Sequence, residues 1–111
     1  MLPSAGEGFP LVVQEALACG LAVICGSDSA AADYRAAPFL RPIQVELRNP
    51  QATADRLLAE LTPLLGRSST VVERRERAAF ARARYSWSVS GASYAALLRQ
   101  LCAPPVALPG A

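Results

Sequence analysis

Pro10 and Gly20 constrain this chain more than any other pair of residues, because together they fix where one helix begins and ends. Proline holds φ near the helical value and has no N–H to lose, so Pro10 suits the first helical position after a loop. Gly20 ends the segment. In front of the helix lies Pro3-Ser4-Ala5-Gly6-Glu7-Gly8-Phe9, a glycine-rich loop with one carboxylate. Behind it, Leu21 to Cys25 reads as a short buried strand. Loop, helix and strand in immediate succession are the parts of an open parallel sheet with helices on its faces.

The start of that helix has a chemistry of its own. The amides of Leu11 and Val12 fall among the first-turn donors that have no partner inside a helix, at the positive end of its dipole. Such an end suits an anion, a phosphate above all. Glu15 follows about 7 Å further along the axis. A ligand whose phosphate caps the helix would lay a neighbouring hydroxylated ring beside the Glu15 carboxylate, with Glu7 on the far side. The plain alternative takes Glu7 as an exposed loop acid and Glu15 as a solvated helix residue.

Glu7-Gly8-Phe9-Pro10-Leu11, Glu15-Ala16-Leu17-Ala18-Cys19-Gly20 and Val23-Ile24 together resemble the donor-site motif of the family 4 retaining glycosyltransferases, which have the two-domain GT-B fold. The resemblance implies glycosyl transfer from a nucleotide-sugar donor, a UDP-, GDP- or ADP-sugar, without a metal or other cofactor. It places Glu7 beside the donor sugar as the catalytic residue. Gly8, Phe9, Pro10, Leu11 and Val12 would face the sugar and diphosphate, and Glu15 would bind the ribose hydroxyls. The expected fold is α/β, a partial Rossmann-like parallel sheet with flanking helices, over residues 1–102. By the same resemblance the chain is the last part of a longer enzyme, inactive alone, whose acceptor domain and upstream basic pair lie elsewhere. The rival reading is a non-catalytic nucleotide- or protein-binding module, or a decayed fragment.

Composition narrows the classes. At 111 residues, 52% of them apolar, the chain suits one globular domain. No apolar run is long enough to span a bilayer, and no leader pattern opens the chain, so a cytoplasmic protein is expected. All 11 basic residues are arginine and the net charge is only +2, which gives no polyanion-binding excess. Histidine is absent, and with it the commonest general base and metal ligand. Cys19, Cys25 and Cys102 have no metal-binding spacing and read as buried free thiols.

Further along, Gly26-Ser27-Asp28-Ser29 reads as a turn in which Asp28 or Ser29 caps a short helix over Ala30 to Ala36. The family usually has a glycine pair, a proline and a glutamate where Ala30, Ala31, Ala32 and Asp33 stand. Asp28 and Asp33 are candidate site acids, with cap and surface roles as the simpler readings. Ile43 to Leu47 alternates as a half-buried edge strand. Asn49-Pro50 starts a helix carrying Leu57, Leu58, Leu61, Leu64 and Leu65, which Pro63 kinks or ends and Gly66 closes. Ser68-Ser69-Thr70 opens another helix through Arg84, with Glu73 and Arg77 spaced to pair. Its interleaved acids and lack of stacking aromatics argue against nucleic-acid binding. After Tyr85-Ser86-Trp87, which resembles the step before the last helix of these transferases, a last helix turns Tyr94, Leu97, Leu98 and Leu101 to one face. The resemblance implies that this face turns toward the acceptor domain and is left partly exposed in this chain, where it would invite a partner; the other reading has Trp87 and Tyr94 fill the core. Residues 103–111 read as a disordered proline-rich tail.

Overall fold

The structure, a computed structural model, describes residues 1–6 and 8–104. It is a mixed α/β arrangement built on a small parallel sheet. The elements are α1 (Leu11–Ala18), β1 (Val23–Gly26), α2 (Ser27–Ala31), a 3₁₀ segment (Tyr34–Phe39), β2 (Leu40–Ile43), α3 (Pro50–Leu65), α4 (Val71–Tyr85) and α5 (Trp87–Leu101). β1 and β2 pair in parallel, Val23 opposite Leu40 and Gly26 opposite Ile43. On the other side of β1, Leu2 makes an isolated parallel bridge to Cys25, donating to the Ile24 carbonyl and accepting from the Gly26 amide at 2.9 and 3.1 Å. No described helix is long and apolar enough to cross a membrane.

The two faces of this sheet are covered by different helices. Val23, Cys25 and Leu40 belong to the main core with Val13 and Leu17 of α1 and Ala81 of α4. Pleating sends the intervening residues the other way. There Arg41 meets Glu60 of α3 at 3.4 Å. The result is helix, sheet, helix, with α1 and α4 packed closely on one side and α3 on the other. Four rings extend the main core: Phe39 and Phe80 lie 4.7 Å apart, Phe80 and Tyr85 5.7 Å, and Phe9 and Tyr85 5.3 Å.

Local chemistry explains most boundaries, and several differ from the sequence expectation. Pro10 is the cap before α1 rather than its first residue, with an extended ψ of 144°. Its carbonyl already accepts from Val13 and Gln14, at 3.1 and 3.4 Å. At the far end Gly20 has φ +76°, and the Gly20 and Leu21 amides bond back to Leu17 and Ala16. This is a Schellman closure, which needs a left-handed residue at Gly20. A side chain there would also sit 2.8 Å from the Arg74 carbonyl of α4. Because Leu21 is spent on closing the helix, β1 starts at Val23 instead of Leu21.

The helix expected over Ala30 to Ala36 is two elements. Asp33 has extended backbone (φ −134°, ψ 93°) and its carboxylate accepts from the Arg35 amide, which stops α2 and caps the 3₁₀ segment. Neither Asp28 nor Ser29 caps α2, whose N-terminal flank is Gly26 without a side-chain cap. The second strand runs over Leu40–Ile43, three residues before the expected Ile43–Leu47, because pairing with β1 sets its register. Pro42 lies within it, tolerable on an edge strand.

Asn49 caps α3 through the Ala52 amide, with Pro50 at the first position and Gly66 at the end. Pro63 falls in the last turn, and α3 continues two residues past it to Leu65. Leu57, Leu61 and Leu64 are half-buried, while Leu58 and Leu65 are exposed. Thr70 and Glu73 form a reciprocal capping box at the head of α4. Glu73 does not pair with Arg77: it holds Arg67, and Arg77 donates to the Gly20 carbonyl and Ser69 Oγ. On the last helix the two readings separate. No residue of α5 is buried, so Trp87 and Tyr94 do not fill the core. Ala103 and Pro104 follow it without regular structure, and the rest of the expected tail lies outside the described residues.

Candidate functional site

The loop after Leu2 leads directly into α1, so the head of this helix stands at the carboxyl end of the parallel strands. Ligands of open α/β sheets bind at that end. Leu11 and Val12 precede the first intrahelical bond, which is made by the Val13 amide. Their side chains are more than half exposed, whereas Val13 and Leu17 on the opposite side of α1 anchor it in the core. The Gln14 side chain donates to the Phe9 carbonyl at 3.3 Å and so ties the loop to the helix.

The expected site residues divide as follows. Gly8 is exposed and Phe9 and Pro10 are half-buried, with the Phe9 ring committed to Tyr85. Leu11 and Glu15 border one cleft of about 320 Å³, closed on its other side by Arg82, Tyr85, Trp87 and Ser90. Glu15 is exposed at this cleft. Glu7 lies outside the described residues. Arg82 is an addition: the sequence shows it only as one of many arginines on α4, and the packing of α4 against α1 brings it to the same cleft as Glu15.

A second cleft, of about 400 Å³, opens where the strands end, lined by Ser4, Ala5, Gly26, Ser27, Asp28, Gln44 and Val45. Gly26 is required here by close approach, since a Cβ would stand 2.1 Å from the Ser4 carbonyl oxygen. Asp28 belongs to this cleft; among the described residues none borders both clefts.

Asp33 is neither a surface acid nor free for catalysis. It is 7% exposed. Arg84 donates to both of its oxygens, at 2.6 and 3.1 Å, and the Tyr85 hydroxyl donates to Oδ2 at 2.6 Å. The Arg84 hydrogen bonds hold its carboxyl below the usual carboxylate range, and burial opposes this more weakly. Tyr85 is pushed up, first by burial and then by the hydrogen bond it donates to Asp33. The clasp thus fixes the end of α4 against the sheet side of the molecule and sets Tyr85 as the wall of the Glu15 cleft.

Of the cysteines only Cys25 is buried, and burial raises its thiol; Cys19 and Cys102 are exposed, and all three are free. Among the described residues no group of acids and cysteines could hold a metal ion. No protein-family model, curated protein or solved structure matches the chain.

Proposed function

We propose that this chain binds a nucleotide-sugar donor and serves as the donor-binding part of a cytoplasmic retaining glycosyltransferase. The observation that carries the reading is a single cleft bordered by Leu11 of the first turn of α1, by Glu15 and by Arg82. In this reading the Leu11 and Val12 amides receive the diphosphate and Glu15 accepts from the ribose hydroxyls. Arg82 balances the phosphate charge that the two amides meet only in part. Glu7, outside the described residues, is assigned to the donor sugar by the resemblance alone. The resemblance of the Glu7 to Gly20 stretch to the family 4 donor motif supports the same assignment. Transfer itself calls for an acceptor-binding partner domain that closes over the donor and excludes water.

Calorimetric titration of the chain with a nucleoside, its diphosphate and its diphosphate sugar tests this reading. Affinity is expected to rise at each step of the series, and Glu15→Ala is expected to weaken the diphosphate about tenfold, one lost charge-assisted hydrogen-bond pair. Equal affinity for all three ligands, or binding indifferent to Glu15, would contradict it.

A further inference from the structure

Trp87, Tyr94, Leu97, Leu98 and Leu101 of α5 fall within an arc of about 100° around the helix, a single apolar stripe. All of it faces outward: Trp87 is 87% exposed, Tyr94 69% and Leu101 72%, with Leu97 and Leu98 at least half exposed. A stripe of this kind on a water-facing helix marks a contact surface. The only charged side chain of α5 is Arg99, which lies roughly 120° around from Trp87 and so off the stripe.

We propose that α5 is the interface of a two-fold dimer of this chain, its two copies packed antiparallel about Tyr94. The stripe is complementary to itself in that arrangement. Trp87 faces the partner's Leu101, Ser90 faces the partner's Leu98, Gly91 faces the partner's Leu97, and the two Tyr94 rings meet at the axis. Bulk therefore sits over the two small residues of the stripe, as an isologous contact requires. Antiparallel helices also oppose their dipoles, and the two Arg99 side chains stay apart. With about 200 Å² for an aromatic side chain and on the order of 100 Å² for a leucine, the exposed stripe offers roughly 500–600 Å² per copy. Buried completely on both copies, this reaches the ~1,000 Å² at the low end of specific interfaces. The inference does not rest on the sugar-nucleotide reading, although Trp87 and Ser90 also border the Glu15 cleft.

Sedimentation equilibrium of the full chain over a wide concentration range tests it, with the emission of Trp87, the sole tryptophan, as a second readout. The wild type is expected at twice the chain mass, with Trp87 emission shifting to the red as dilution separates the copies. Leu98→Glu should raise the dissociation constant at least tenfold. Gly91→Leu should weaken the dimer too, although it adds apolar surface and an added Cβ meets nothing within 4 Å in the single chain. Ala92→Glu, exposed and off the stripe, should leave it unchanged. A wild type that stays monomeric at high concentration overturns the proposal. So does a dimer that survives Leu98→Glu, a Gly91→Leu variant that associates more strongly, or a monomer whose Trp87 shifts to the blue only on adding lipid vesicles.

Discussion

Asp33 shows how one side chain can join distant parts of a small protein. Its carboxylate caps the 3₁₀ segment and also binds Arg84 and Tyr85, more than fifty residues further on. Replacing it with asparagine should cost on the order of 2 kcal/mol at neutral pH, the loss of charge-assisted hydrogen bonds at a buried site. The pH dependence follows from the direction of its shift. A carboxyl held below its unfolded value stabilises the fold above that value, near pH 4, and loses this contribution as pH falls through the lowered folded value. Urea titrations of wild type and Asp33→Asn should therefore converge progressively as the pH falls below about 4. Ser29 makes the opposite case. Its hydroxyl is fully buried with no hydrogen-bond partner among the described residues, so Ser29→Ala should raise stability by about 1 kcal/mol in the same titration. A cap role was among the readings of Asp33, but its clasp with Arg84 and Tyr85 and the burial of Ser29 were not legible in the sequence. What decides them is burial and a long-range partner, and local spacing carries no record of either.

At the scale of elements, legibility follows the range of the forces that set each boundary. Asn49-Pro50, Thr70, Gly20 and Gly66 act within one helical turn, and the helices begin or end beside them. The strands are set by pairing: β2 lies where Leu40 can meet Val23, and nothing within residues 40–47 says so. The same holds for Glu73 and Arg77, spaced to pair but drawn to Arg67 and to the Gly20 carbonyl. Glu73 is nonetheless held below the usual carboxylate range, first by the Thr70 amide that completes the capping box. Thr70→Ala removes one half of that box and should cost about 1 kcal/mol. Hydrogen exchange would report it as faster exchange in the first turn of α4, while the first turn of α3, with its own Asn49 cap, stays as it was.

Across the whole molecule, two helical layers on a small parallel sheet leave the carboxyl ends of the strands and the head of α1 open, and leave α5 outside the core. The candidate site was half legible. The loop, the first turn and Glu15 could be read from Pro10 and the glycines, because helix starts are local. Arg82 could not, because it reaches the cleft only through the packing of α4 on α1. The most direct test of the donor-binding account is an amide NMR titration of the chain with UDP-, GDP- and ADP-sugars. One of the three should shift the Leu11 and Val12 amides most, at concentrations where Glu15→Gln leaves them unmoved. Shifts confined to the strand-end cleft around Ser27 and Gln44, or a Glu15→Gln variant that responds like the wild type, would contradict it.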